Sequence, residues 1–200
     1  MITVGLTGPT GAGKSSVVPI FIERGFVPVD CDRLARMVTM PDSEGFRALT
    51  AAFGGDLVKA DGSLDRALLA ERAFATPEGR ERINSITHPI ILGLVRAEVK
   101  AAHDGGRSAI IDAPLLFESG LERDCDATVA VLASAATRIG RISARDGLTR
   151  EAAMLRISAQ QPCAYYAARA NYSVTNEDGG ELLARRAARI ADDIIARYDS

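Results

Sequence analysis

The sequence predicts an α/β fold: a five-stranded parallel sheet flanked by helices, carrying a helical substrate-binding insertion and a helical lid. Three observations predict it. Five short β-like segments recur at 2–7, 26–30, 108–112, 127–132 and 172–175, most of them apolar on both faces, as parallel strands covered by helices must be. Helical stretches separate them, as right-handed crossovers require. The string GPTGAGKS, from Gly8 to Ser15, follows the first strand and opens a helix, which is the setting of a phosphate-binding loop.

Taken in order, the first strand presents Ile2, Val4 and Leu6. In the loop that follows, glycines at 8, 11 and 13 let backbone N–H groups converge on one anion at the helix N-terminus. Gly8, Pro9, Thr10, Gly11, Ala12, Gly13, Lys14, Ser15 and Ser16 are the candidate nucleotide-binding residues. Lys14 would reach the β- and γ-phosphates, and the Ser15 hydroxyl would take a Mg²⁺ position. Pro19 falls about six residues into the next helix and predicts a bend there. After the second strand, about 75 residues intervene before the third, far more than the dozen of a simple crossover. That span reads as helices at 43–53, 65–74, 78–86 and 89–103, with turns at Gly54-Gly55 and Asp61-Gly62. Residues 33–105 are therefore expected to form the insertion, and an Arg-rich helical pair at 137–168 the lid. Asp178-Gly179-Gly180 would end the last strand region. A final helix at 181–198 sets Leu183, Ile190 and Ile194 on one side and a solvated Arg185, Arg186 and Arg189 on the other.

Composition narrows the function. Two hundred residues, 47% hydrophobic, suffice for one domain with an insertion. With 24 Lys and Arg against 26 Asp and Glu, no global basic field draws the chain to nucleic acid. The chain enters a strand almost at once, and no apolar stretch approaches the ~18 residues of a membrane span. Cys31, Cys125 and Cys163 lack metal-site spacing and read as reduced thiols. The expectation is a cytoplasmic protein, a monomer, without nucleic-acid or membrane partners.

Ligands in such sheets sit beyond the C-terminal strand ends, so acidic residues there are the candidates for chemistry. Asp32 would accept a proton from an attacking hydroxyl or hold a metal through water, while Asp30 is expected to cap the following helix. Asp112, ending the apolar Ile110-Ile111 run, would orient the Mg²⁺ shell near Ser15. Leu115, Leu116 and Phe117 read equally as core or substrate wall. Asn84 and His88 share a helix face, with Pro89 starting the next helix; a histidine there is more often structural. His103 is expected at the surface. Arg138, Arg141 and Arg145 recur at spacings of three and four on one helix face. Such a face would close over a triphosphate and neutralise developing charge, with Arg141 the leading candidate and Arg145 the next.

These pieces, in this order and along nearly the whole chain, resemble the dephospho-CoA kinase family, whose members share the P-loop kinase fold. The match includes Asp30, Asp32, Leu34, Ala35 and Arg36, then Gly62 and Leu64-Asp65-Arg66, then Asn84, His88 and Pro89. It continues through Asp112 to Gly120, Arg141, Arg145-Asp146, Arg156-Ile157, Gln160 and Asn176. The chain departs from the family pattern at Pro9-Thr10, at Asn171 and at Tyr166. The resemblance implies transfer of the ATP γ-phosphoryl group to the ribose 3′-hydroxyl of dephospho-CoA, with ATP and Mg²⁺ as cofactors. Lys14, Asp32 and Arg141 would be catalytic, and Arg145 and Asn176 would join the loop in holding ATP. Asp32, Arg36, Asp65, Arg66, Asn84, His88 and the Pro114–Phe117 stretch would meet dephospho-CoA, and Ser15 and Asp112 the metal.

Three other classes are weighed against this. Nucleoside and nucleotide kinases share the loop and lid and differ in acceptor. A guanine-nucleotide switch carries an Asn/Thr-Lys-x-Asp string, and none occurs here. A nucleic-acid ATPase requires a basic footprint that this chain lacks.

Overall fold

A computed structural model of the protein describes residues 1–177 and 180–198. Its sheet contains five strands, β1 (Thr3–Thr7), β2 (Val27–Asp30), β3 (Ala109–Asp112), β4 (Ala127–Leu132) and β5 (Tyr172–Thr175), in the spatial order β2-β3-β1-β4-β5. Parallel pairing sets Leu6 opposite Asp112 on one side and opposite Val129 on the other. Strand β1 is therefore central and buried at every position. The nine helices of the described residues are α1 (Val18–Ile22), α2 (Cys31–Val38), α3 (Glu44–Phe53), α4 (Arg66–Phe74), α5 (Pro77–Asp104), α6 (Ala135–Asp146), α7 (Arg150–Ser158), α8 (Cys163–Arg169) and α9 (Gly180–Tyr198).

Two compact units can be separated. The first comprises Met1–Val29 and Val99–Ser200. Its main core joins one face of the sheet (Ile2, Val4, Leu6, Val129, Val131) to Phe21 of α1 and to Leu183, Ala187, Ala191 and Ile194 of α9. On the other face, a Cβ at Gly5 would come within 2.9 Å of Leu116 and Cys125, so only glycine allows those side chains to close over β1. The side chain of Asn171 clips β5 to β4, its oxygen accepting from the Thr128 amide (2.8 Å) and hydroxyl (2.9 Å). The second unit is Asp30–Glu98. It has a core of its own in Leu49, Leu57, Leu64, Leu69 and Ala73. Ser43 and Asp65 cap α3 and α4 by accepting from their first-turn amides.

Several elements differ from expectation. Pro19 does not bend a helix that runs on from the loop. A 3₁₀ turn over Lys14–Ser16 ends first, and α1 restarts at Val18 with Pro19 in its first turn, where a missing N–H leaves no bond unmade. The two helices expected at 78–86 and 89–103 are one 28-residue helix, α5, with Pro89 inside it. One absent N–H is outweighed by the bonds of so long a helix. The helical pair expected at 137–168 is three helices, α6, α7 and α8. Within the second unit, an isolated antiparallel bridge, Val58 to Leu64, spans the Asp61-Gly62 turn. His103 is half-buried, with Nε2 3.3 Å from the Thr3 hydroxyl on β1, rather than a surface residue. The turn assigned to Asp178-Gly179-Gly180 lies, at Asp178 and Gly179, outside the described residues. In α9, Arg185, Arg186 and Arg189 are exposed opposite Leu183 and Ile194, as the pattern requires.

Candidate active site

The end of β1 runs directly into the glycine loop. Gly8 adopts φ 144°, and a Cβ there would lie 2.2 Å from the Val131 carbonyl oxygen on the adjacent strand. Gly13, at φ 95°, is packed as closely, with a Cβ position 2.2 Å from the Asn176 side-chain nitrogen. No L-residue with a side chain meets both conditions without strain. The Ala12 amide closes the turn onto the Pro9 carbonyl (3.1 Å), and the Ser16 amide bonds the Gly13 carbonyl (3.1 Å). No described residue accepts from the amides of Gly11, Gly13, Lys14 or Ser15.

What points those amides inward is a set of contacts on the loop's carbonyls. In a planar trans peptide the C=O and N–H point opposite ways, so a carbonyl held on one side aims the next residue's amide to the other. Asn176, 3% exposed, donates through Nδ2 to the Ala12 carbonyl (2.7 Å). Arg141 donates to the same carbonyl (3.3 Å), to that of Gly11 (3.4 Å) and to Oδ1 of Asn176 (3.2 Å). Together they turn the Gly13 amide into the nest. Asn176 is thereby spent on loop shape.

Arg138, expected on an open arginine face, is 3% exposed. Its Nε donates to the Thr10 carbonyl (2.8 Å). Arg145 is not brought to the loop. It forms a two-pronged pair with Asp146 (2.7 and 2.9 Å), which also accepts from Arg156 (2.7 Å). Those guanidiniums hold the Asp146 carboxyl below its ordinary range, Arg145 first. Glu177, which the sequence did not single out, ties the segment after β5 to the start of α6. Its carboxylate accepts from the Ser134 amide (2.6 Å) and from the hydroxyls of Ser134 (2.9 Å) and Thr137 (2.6 Å). These bonds, Thr137's first, lower its pKa. The only available signal was Ser134 and Thr137 at capping spacing, with no hint of a partner some 40 residues on. A cleft of about 710 Å³ opens beside this region, with Ser134, Arg138, Gln160, Cys163, Thr175 and Glu177 in its wall.

Lys14 reaches across the sheet's end, Nζ 4.0 Å from Asp112 Oδ1. The Ser15 hydroxyl and the Asp112 carboxylate are hard oxygen donors suited to Mg²⁺. Among the described residues no cluster of three His, Cys, Asp or Glu could hold an ion unaided. A cation here would share its ligands with a phosphate chain, the usual habit of Mg²⁺. Beyond Asp112, the Pro114 carbonyl accepts from Thr7 (3.4 Å), and Leu115 is exposed. Leu116 is fully buried under Gly5 and belongs to the core rather than to a substrate wall. Phe117 packs edge-on to Tyr165 and tilted against Tyr166, whose buried phenol is pushed up to about 12.

The remaining candidates stand in the second unit. Asp30 caps α2 by accepting from the Arg33 amide (3.0 Å), and Asp32 is exposed in that helix's first turn. Arg36 is exposed in its last turn. Asp65 caps α4 through the amides of Ala67 and Leu68, and Arg66 donates to the Thr39 hydroxyl (2.9 Å). Asn84 is exposed and His88 half-buried, one turn apart on α5.

Residues 2–181 match the family model described as dephospho-CoA kinase. The chain belongs to the dephospho-CoA kinase family. It is 37% identical to the dephospho-CoA kinase of Corynebacterium glutamicum over 200 residues, all of both chains. It is 40% identical to that of Moorella thermoacetica, covering 94% of this chain and 89% of the relative. Among solved structures, a Thermus thermophilus protein superposes with a TM-score of 0.79 at 30% identity, covering 98% of this chain and 97% of the other. The shikimate kinase of Bacteroides thetaiotaomicron shares the fold, with a TM-score of 0.56 at 15% identity and 98% coverage of both chains. The architecture is that of the P-loop kinases, and the chain is a kinase of the family that phosphorylates dephospho-CoA with ATP.

Proposed function

We propose that this chain transfers the γ-phosphoryl group of ATP to the ribose 3′-hydroxyl of dephospho-CoA, giving coenzyme A and ADP. The observation that carries the reading is the loop itself: the amides of Gly11, Gly13, Lys14 and Ser15 are turned away from protein acceptors beside the Lys14 ammonium. That arrangement suits a polyanion. In this reading the amides and Lys14 hold the β- and γ-phosphates, and the cleft lined by Arg138, Gln160 and Glu177 takes the nucleoside half of ATP. Ser15 and Asp112 would hold Mg²⁺, which would neutralise phosphate charge when bound. Arg141, while it keeps its bonds to the Gly11 and Ala12 carbonyls, lends its positive charge to the transferring group, and Arg145 approaches only if it leaves Asp146.

Asp32 orients the 3′-hydroxyl and accepts its proton as the new phosphate ester bond forms and the bond to ADP breaks. A sugar hydroxyl is a poor acid and the transition state is loose, so placement contributes more than proton abstraction. The Asp30–Glu98 unit, with Arg36, Arg66, Asn84 and His88, would hold the coenzyme moiety, with Asp65 shaping the start of α4. Residues 137–168 would serve as the lid.

A coupled ADP-release assay offers dephospho-CoA and nucleoside monophosphates in parallel. Turnover is expected with dephospho-CoA alone. Asp32→Asn should lose most of kcat with ATP affinity little changed, and near-normal turnover in that variant would remove Asp32 from the mechanism.

A further inference from the structure

Thr10, at the tip of the loop, is gripped on both sides of its backbone. Its amide donates to Oε1 of Gln160 (2.9 Å), in the stretch between α7 and α8. Its carbonyl accepts from Nε of Arg138 on α6 (2.8 Å). The two gripping side chains also meet, Arg138 Nη2 donating to the same Gln160 oxygen (3.4 Å). The Gln160 side-chain oxygen thus takes the Thr10 N–H and an Arg138 N–H on one atom.

The consequences follow from peptide geometry and charge. Holding the Thr10 carbonyl toward Arg138 aims the Gly11 amide the opposite way, into the nest. Engaging the Thr10 amide keeps it out of the nest, so the number of donors facing a phosphate is set by this contact. Arg138 is 3% exposed, and its partners are the Thr10 carbonyl, the Gln160 amide oxygen and the Cys163 sulfur (3.9 Å), all neutral. A buried cation satisfied only by dipoles keeps its full charge available to an anion beyond them. The Cβ position of Gly11 lies 3.0 Å from the Arg138 carbonyl, so loop and helix already touch and little freedom remains between them.

We propose that Arg138 and Gln160 are positioning residues that hold the phosphate loop in its nucleotide-receiving shape before ATP arrives. The proposal rests on the reading of the loop as an ATP site. It assigns the α6–α8 segment a task in the resting enzyme, distinct from closure over bound nucleotide.

The test reads the clamp directly. Amide hydrogen exchange at Thr10, followed by NMR in the ligand-free protein, should be slow in the wild type and about two- to tenfold faster in Gln160→Ala, the range of one hydrogen bond. Gln160→Glu, which keeps the acceptor, should restore slow exchange. The KM for ATP should rise by a similar factor in Gln160→Ala while the KM for dephospho-CoA and the melting temperature stay put. Arg138→Met, which fills the same space without charge, should shift the Gly11 amide resonance and weaken ATP binding further. Should Arg138→Met fail to fold, the exposed Gln160 decides alone. Fast exchange at Thr10 in the wild type, or ATP binding unmoved in Gln160→Ala, overturns the clamp. A wild type with protected Thr10 that binds no ATP overturns instead the reading beneath it.

Discussion

The phosphate loop and the Asp30–Glu98 unit hold their shapes by opposite means. Around the loop, backbone is pressed against backbone: Gly8 lies under the Val131 carbonyl, and three side chains, Arg138 and Arg141 from α6 and Asn176 after β5, make four bonds to its carbonyls. The contacts that hold its carbonyls are polar and directional. The second unit instead closes around four leucines and an alanine, with caps at its helix ends and ion pairs such as Arg72–Asp56 and Arg33–Glu98 on its surface. Its core contacts are non-directional, so many residues of similar volume would serve there. The difference teaches where substitution should abolish chemistry and where it should merely loosen the fold.

The largest effect expected is on the loop's chemistry. Lys14→Ala should lower kcat/KM by roughly 10²–10³, the scale of removing one preorganised electrostatic donor, with an unchanged melting temperature. A variant that melts early instead would make Lys14 a structural residue. In the second unit, Leu49→Ala should cost about 2–5 kcal/mol in urea unfolding, the range for a fully buried leucine, while the folded fraction keeps wild-type ATP affinity. Loss of that affinity would show that the two regions are less independent than their cores suggest. Gly8→Ala tests the loop's backbone limit. Strain at a positive φ should cost about 1–3 kcal/mol, read as a lower melting temperature together with weaker ATP binding.

The smallest effect separates the loop's supports from ordinary surface charge. The folded-state pKa of Glu177 is depressed from its usual 4.5. Its contribution is therefore present above pH 4.5 and lost as pH falls through the lower, folded value. Glu177→Gln should melt below wild type at pH 7, and the gap should narrow toward pH 3. A constant gap would assign the effect to packing.

Much of this was legible in the chain. The strand segments at 127–132 and 172–175 coincide with β4 and β5, because continuous apolar runs bounded by turn residues are local signals. The loop was legible because its glycines answer local backbone demands. The fates of Pro19 and Pro89 were not. The same missing N–H begins one helix and is absorbed inside another, and only the surrounding bonds tell which. Helical spacing likewise grouped Arg138, Arg141 and Arg145, whereas the fold buries the first, spends the second on loop carbonyls and pairs the third with Asp146. Spacing along a helix fixes a side chain's direction and says nothing of what comes to meet it.

By itself, then, the order of residues determined the α/β class, the nucleotide loop and the family, because each depends on short-range steric and hydrogen-bonding rules. Only the tertiary structure decided which groups aim the loop's amides. Gln160 lies 150 positions from Thr10, and Asn176 164 from Ala12. Contacts at such separation are products of how the sheet and its helices pack, which no local pattern encodes.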